Sequence, residues 1–158
     1  MVNARVFLLF CAFGLSLATT SFWRGRDVDE FHGDTLTLPP GKTLPEEEWF
    51  EQQMDPYDPR NPKTFQQRYF TNSEYFKDPD GPVFLLIGRV GSANPRWMIE
   101  GAWLKYAQEF GALCIQLEHR YGGKSHPAEI LTTEEYAFGS SEIGLTDVAL
   151  FIAGMQKK

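Results

Sequence analysis

Gly123, Lys124 and Ser125 form a motif whose residue types could do chemistry. A phosphate-binding loop would need a second glycine at the position held by Glu118. A serine nucleophile in a Gly-x-Ser-x-Gly turn would need a glycine at the position held by Pro127. We therefore expect neither a phosphate site nor a catalytic nucleophile at Ser125.

The histidines His32, His119 and His126 are the candidate general bases of this chain. His119 stands between Glu118 and Arg120 at the end of a predicted strand, which favours a hydrogen-bonded structural cluster over a catalytic role. Neither His32 nor His126 has a second ligand at a metal-binding spacing. We expect no metal ion and no cofactor.

A loop of Gly88, Arg89, Val90 and Gly91 follows a predicted buried strand, and we call it the 88–91 loop. Glycines let the backbone approach a substrate closely, so this loop could offer N–H groups to a developing oxyanion. The same residues suit an ordinary strand-to-helix turn equally well. The spacing alone leaves both interpretations open.

The elements that would position these residues alternate between strand and helix. Continuous apolar runs at residues 83–87 and 112–117 predict two strands that are buried on both faces. Residues 98–110 between them have helical periodicity, and Gly111 is placed to end that helix. An ordered loop, a further strand and a second helix are predicted at residues 49–61, 64–71 and 141–153. This alternation predicts an α/β fold with a mostly parallel sheet and flanking helices.

The N-terminus has the pattern of a secretory signal. Arg5 precedes an apolar run at residues 6–18, and Ser16 and Ala18 are the small residues that signal peptidase prefers. The alternative is a buried N-terminal helix. We predict a signal peptide at residues 1–18, an irregular arm at 19–45 and a partial domain at 46–158, and hence a secreted or lysosomal protein.

Charge and cysteine content exclude several classes of protein. The formal net charge of −6 argues against nucleic acid and anionic membranes as partners. Loss of the signal would leave Cys114 as a lone cysteine in a buried strand, which is not a disulfide scaffold. The sequence leaves open whether the chain forms a homodimer.

Several segments, taken in order, resemble one enzyme family. They include WFEQQMD at residues 49–55, TFQQRYF at 64–70, GPVFLLIG at 81–88 and FGALCIQLEHRY at 110–121, followed by GKSHP at 123–127 and SSE at 140–142. The chain is similar to the N-terminal part of the serine peptidases related to prolyl carboxypeptidase, dipeptidyl peptidase II and thymus-specific serine protease, including their invertebrate members. The resemblance runs from about residue 49 to residue 152.

The resemblance implies an α/β-hydrolase core with a Ser-Asp-His triad that cleaves small peptides next to proline. It places the 88–91 loop at the oxyanion hole and makes Glu118, His119, Arg120, Tyr121, Gly123, Lys124 and Ser125 a structural motif. The chain departs from the family pattern in the 88–91 loop, where Gly-Gly-Glu-Gly is usual, and at Gly122, where an aromatic residue is usual.

None of the family's three catalytic residues has a counterpart in residues 1–158, so the triad is expected beyond Lys158. We therefore expect this chain to be a truncated peptidase that does not hydrolyse peptides by itself. Two alternatives stay open, namely a non-catalytic secreted binding protein of the same fold and a parent enzyme with esterase activity.

Overall fold

One mixed sheet, with a helix on each face, organises the molecule. The computed structural model describes residues 38–88, 91–127, 132 and 137–157, together with the backbone of residues 7–10. The elements in chain order are β1 (Phe7–Phe10), β2 (Glu48–Gln53), β3 (Thr64–Asn72), β4 (Val83–Ile87), a 3-10 helix (Pro95–Met98), α1 (Ala102–Phe110), β5 (Leu113–Leu117), a 3-10 helix (Ala137–Gly139) and α2 (Ser141–Met155).

The sheet has the strand order β1-β4-β5-β3-β2. β4 pairs in parallel with β1 and with β5, while β3 pairs antiparallel with β5 and with β2. The predicted α/β class is confirmed, but the prediction of a mostly parallel sheet is wrong for these strands. A hairpin from β2 to β3 adds antiparallel strands on one side, because a short connection can join only antiparallel neighbours.

The two central strands are buried on both faces, as their continuous apolar sequences predict. On one face, Phe84 and Cys114 pack with Trp103, Leu104 and other residues of α1 and the preceding 3-10 helix. On the other face, their strand neighbours pack against α2 in a cluster that comprises Val83, Leu85, Ile115, Leu117, Val148 and Phe151. Successive residues of β4 and β5 therefore pack on opposite faces of the sheet, against α1 on one face and α2 on the other.

The first helix begins later than its periodicity predicts. Residues 95–98 form a 3-10 helix capped by the Asn94 side chain, and Gly101 interrupts the chain with a φ of 122° before α1 starts. That φ lies in a region that L side chains rarely adopt. The predicted end is confirmed, because Gly111 has a left-handed φ of 64° and its N–H bonds the Ala107 carbonyl.

The predicted loop at residues 49–61 is wrong in its first part. Residues 49–53 belong to β2, which pairs with β3 in the register Glu48↔Tyr69 to Gln53↔Thr64. The sequence EWFEQQ lacks an apolar run because this edge strand is half-exposed, and its pairing partner β3 follows only after the connection at residues 54–63. The second helix is confirmed and extends to Met155, with the Ser140 side chain accepting the Ile143 N–H at its start.

Strand β1 falls within the segment predicted as a signal peptide. Phe7 to Phe10 pair in parallel with Val83 to Leu86, so these four residues form a strand and not the alternative helix. The signal peptide stays a prediction, and residues 19–37 of the predicted arm lie outside the described residues. No helix within the described part of the chain has the length and apolar character needed to cross a membrane.

Candidate functional site

The candidate site residues lie close together where β4 and β5 end. The Gly88 N–H bonds the Leu117 carbonyl at 2.7 Å, which ties the start of the 88–91 loop to the last residue of β5. A Cβ at Gly88 would lie 3.0 Å from the Leu117 oxygen and 3.2 Å from the Glu118 Cα. Glycine at this position therefore lets two chain segments approach closely. Arg89 and Val90 lie outside the described residues.

Glu118 lies beside this loop with a fully buried carboxylate. Its Oε1 accepts the Ala93 N–H at 2.8 Å, and its Oε2 accepts the Ser125 hydroxyl at 2.7 Å and the Lys124 N–H at 3.1 Å. The Arg68 guanidinium donates to both oxygens, at 2.5 and 3.2 Å. A buried carboxylate needs such donors to replace lost water, so these segments are held together by its charge.

Arg68 carries the opposite charge of this cluster and extends it toward the surface. Its Nη1 donates to Glu47 at 2.6 Å, and Glu47 also receives the exposed Lys124 ammonium at 2.7 Å. Burial opposes the charge of Arg68, but its bonds to Glu118 and Glu47 outweigh burial and raise the pKa of the guanidinium. Lys124 and then Arg68 hold the pKa of Glu47 below its ordinary value. The network alternates in sign from the interior to the surface.

Ser125 belongs to the same cluster and is completely buried. Its hydroxyl donates to Glu118 and accepts the Arg68 backbone N–H at 2.9 Å, which fixes the turn against β3. Gly123 and Lys124 sit on the exposed side of that turn. Both bonds of the Ser125 hydroxyl stabilise the fold and neither prepares the oxygen for attack on a substrate.

The histidines do not meet a serine in the described part of the chain. His119 Nδ1 lies 2.7 Å from the Arg120 carbonyl, and its Nε2 faces Gly144 of α2, where an added Cβ would be only 2.7 Å away. His126 Nε2 lies 2.7 Å from the Gly123 carbonyl. His32 lies outside the described residues. The structure thus separates His119 from the Glu118 carboxylate that precedes it in sequence.

Arg120 forms a second buried cluster on the opposite face of the sheet. Its Nε and Nη2 donate to the two Asp147 oxygens at 2.6 and 2.5 Å, and neither side chain is more than 1% exposed. The remaining N–H groups of the guanidinium donate to the backbone carbonyls of Gln53, Met54 and Phe138. Burial raises the pKa of Asp147, and its contacts with Arg120 oppose this shift. This cluster joins α2 to the end of β5.

Sequence reasoning missed Arg68, Glu47 and Asp147. Asp147 offered a signal, because it lies four residues after Ile143 and four before Phe151, and all three are buried on one stripe of α2. An acid on such a stripe requires a buried cation. Arg68 gives a similar signal on β3, because it lies two residues before the buried Phe70 and therefore on the same face of the sheet. Their partners lie far away in sequence, and only the fold identifies them.

Other features of the described chain do not add to this site. A polar cleft of about 420 Å³ is lined by residues 41–45, 71–74 and 98–99, at the end of the sheet opposite the 88–91 loop. No group of three His, Cys, Asp or Glu side chains that could hold a metal ion occurs among the described residues. Cys114 is buried, and its burial raises the pKa of the thiol to about 12, so it is unreactive at neutral pH.

Comparison with known proteins places these features in a family. The chain is 38% identical to human thymus-specific serine protease over 149 residues, which cover 89% of this chain and 29% of that protein. It is 36% identical to the mouse thymus-specific serine protease, again over 29% of its length, and 29% identical to human lysosomal Pro-X carboxypeptidase, with 69% of this chain and 23% of that protein covered. The chain therefore spans less than a third of these curated relatives.

The same assignment follows from a comparison with a whole family. The family model described as serine carboxypeptidase S28 matches residues 52–158, which contain β3, β4, β5, both α-helices and both buried ion pairs. The predicted resemblance is confirmed. Since the match covers well over half of the sequence, the chain belongs to the serine carboxypeptidase S28 family.

Proposed function

We propose that this chain forms the N-terminal part of the hydrolytic domain of a serine exopeptidase with an α/β-hydrolase arrangement, and that the 88–91 loop faces the substrate. One observation carries the proposal. The loop leaves β4 at the carboxyl end of a parallel strand pair, inside the region that matches the S28 family. In open α/β sheets, ligands bind in the crevice outside the carboxyl ends of the strands.

The chemistry of this role is electrostatic. Acyl transfer through a serine nucleophile passes through a tetrahedral oxyanion, and preorganised backbone N–H groups stabilise that charge. In α/β-hydrolases one such N–H comes from the loop after the third strand. We assign the 88–91 loop, which follows β4, to that position, where it would supply the donor. Its anchored start at Gly88 provides the rigidity that preorganisation requires.

The nucleophile and its base belong to residues other than those described. No hydrogen bond joins a serine hydroxyl to a histidine in the described chain, and the hydroxyl of Ser125 is committed to Glu118. Loss of a serine-protease triad lowers kcat by about a millionfold. Residues 1–158 would therefore not hydrolyse peptides alone, and a longer product of the gene would carry the activity.

The proposed substrates are small peptides that contain proline. This proposal follows the human relative whose name specifies a Pro-X carboxypeptidase activity. The apolar segment at residues 6–18 supports delivery of the protein to a secreted or lysosomal location. A carboxypeptidase would release one residue after proline, and a dipeptidyl peptidase would release an Xaa-Pro dipeptide.

The test compares residues 1–158 with the longest product that transcripts of the same gene encode. Both are incubated with a blocked peptide that ends in Pro-Xaa, with an Xaa-Pro amide and with a fluorophosphonate that labels serine nucleophiles. We expect labelling and turnover from the longer product alone. Gly88→Ala in that product should lower kcat while labelling of the folded enzyme persists.

Two results would contradict the proposal in different ways. Fluorophosphonate-sensitive turnover by residues 1–158 would show that the chain holds its own nucleophile. A longer product that folds but neither turns over nor reacts with the fluorophosphonate would refute the peptidase function and favour a non-catalytic binding protein.

A further inference from the structure

Two residues after β5 hold the 88–91 loop by different physical means. Glu118 accepts the N–H of Ala93, just beyond the loop, and Gly122 leaves space for the carbonyl of Gly91. We propose that Glu118 and Gly122 are positioning residues that fix residues 91–93, the described segment at the end of the 88–91 loop, against the end of β5. The position of this segment is independent of the proposed function, and only its catalytic consequence rests on that function.

The first means is electrostatic and anchors both ends of the loop. The Gly88 N–H bonds the carbonyl of Leu117, and the Ala93 N–H bonds the carboxylate of the next residue, Glu118. The segment from residue 88 to residue 93 thus closes on two consecutive residues of the β5 end. Both anchors are short, at 2.7 and 2.8 Å. The loop's ends cannot separate unless a buried acceptor loses a donor.

The other donors that bond Glu118 explain why its hydrogen bond to Ala93 is held rigidly. Arg68 from β3 and Ser125 from the following turn hold the carboxylate from other directions, and Arg68 additionally donates to the Ser92 hydroxyl at 2.8 Å. Movement of the Ala93 N–H would leave a fully buried carboxylate one donor short. The ion pair therefore transmits the rigidity of the sheet to the loop.

The second means is steric. A Cβ at Gly122 would lie 2.8 Å from the Gly91 oxygen and 2.9 Å from the His119 oxygen, and both neighbours are backbone atoms. Neither can move aside as the end of a flexible side chain can. Gly122 is not among the residues with positive φ, so alanine fits its backbone conformation. The cost of Gly122→Ala would come from displacing these two carbonyls, that of Gly91 at the end of the 88–91 loop and that of His119.

Gly91 supplies a matched control within the same contact. A Cβ built at Gly91 meets no described atom within 4 Å. Gly91→Ala and Gly122→Ala therefore add the same methyl group on the two sides of one contact. Only the methyl group at residue 122 should move the loop.

Hydrogen exchange of purified residues 1–158 tests the proposal directly. Peptides that contain residues 88–93 report on the loop, and peptides from α2 report on global stability. Gly122→Ala should speed exchange in the loop about tenfold, equivalent to about 1.4 kcal/mol, with α2 unchanged. Gly91→Ala should leave both regions at the wild-type rate. Glu118→Gln should speed loop exchange by at least as much, because it removes the charge that gathers the donors.

The outcomes separate a positioning role from a general structural one. Equal loop exchange in the two glycine variants would overturn the role of Gly122, as would a change confined to residues 118–127. A uniform rise across the chain in Glu118→Gln would overturn the specific role of Glu118. If Glu118→Gln does not fold, Ser125→Ala, which removes one donor from the carboxylate, replaces it. Because Ser125→Ala also lowers global stability, the expected result is then a larger rise in exchange at residues 88–93 than in α2, and an equal rise in both regions would overturn the role of Glu118.

In the longer product, Gly122→Ala should lower kcat and leave KM near its wild-type value, since a displaced oxyanion donor acts mainly in the transition state. An unchanged kcat together with faster loop exchange would refute the proposed role of the loop in catalysis. The conformational inference would stand in that case, so the two failures can be distinguished.

Discussion

Glu118 and Arg120 stand two residues apart at the end of β5, and each is the centre of a buried charge cluster of opposite sign. Glu118 is an anion that gathers donors from β3, from the segment after the 88–91 loop and from the turn at residues 124–125. Arg120 is a cation that gathers the Asp147 carboxylate and three backbone carbonyls. One chain segment thus organises both faces of the sheet.

The difference in sign decides what each cluster can hold. Loops that follow strands have N–H groups without a partner in the sheet, and a carboxylate can accept hydrogen bonds from several of them. The ends of β2 and of the 3-10 helix before α2 offer free carbonyls, and a guanidinium with five N–H donors collects those. The anion therefore fixes the edge that we propose to face the substrate, while the cation fixes α2 to the sheet.

The clusters also differ in redundancy. Arg68 has two carboxylate partners, since Glu47 joins Glu118, whereas Arg120 has Asp147 as its one carboxylate partner among the described residues. A buried charge that loses its sole counter-ion keeps its desolvation cost. The Arg120 cluster should therefore be the more fragile of the two, and three experiments examine that contrast.

The largest effect is expected from Asp147→Asn, which leaves Arg120 buried without a counter-ion. Loss of one partner from a buried pair lowers the free energy of unfolding by about 3–5 kcal/mol. Urea denaturation followed by circular dichroism would measure it. Asp58→Asn, in an exposed pair with Arg60, is the matched control and should leave the midpoint unchanged. A midpoint for Asp147→Asn equal to that of the control would contradict the role of the Arg120 cluster.

A smaller effect is expected from Ser125→Ala in the Glu118 cluster. The substitution removes one donor from the carboxylate and one acceptor from the Arg68 N–H, while the ion pair remains. We expect the free energy of unfolding to fall by about 1–3 kcal/mol in the same urea experiment. A loss as large as that of Asp147→Asn would show that the two clusters do not differ in redundancy.

The smallest effect concerns pH and the exposed end of the Glu118 cluster. Because Lys124 and Arg68 lower the folded-state pKa of Glu47, its stabilising contribution is complete above its unfolded pKa. The contribution is lost as pH falls through the folded pKa. Thermal unfolding should therefore show Glu47→Gln below wild type at pH 7 and equal to it at pH 2. The same difference in unfolding temperature between Glu47→Gln and wild type at both pH values would contradict this role of the Glu47 carboxylate.

Local pattern in the sequence determined the central elements of the fold. The apolar run of β4 is confirmed at residues 83–87, and β5 and the end of α1 at Gly111 are confirmed within one residue. β2 was missed because an edge strand with a half-exposed sequence has no strong local pattern. The burial of a central strand can be predicted from a run of consecutive apolar residues. The pairing of an edge strand depends on a partner strand elsewhere in the chain.

The order of motifs in the sequence likewise determined the family, and the comparison confirms it. Only the tertiary structure decided what the residues of the Glu118–Ser125 segment do. Adjacent residues in EHR were expected to form one cluster, but Glu118 pairs with Arg68 and Arg120 pairs with Asp147. The physical reason is that a buried charge pairs with an opposite charge that lies beside it in the packed sheet. That neighbour can be distant in the sequence.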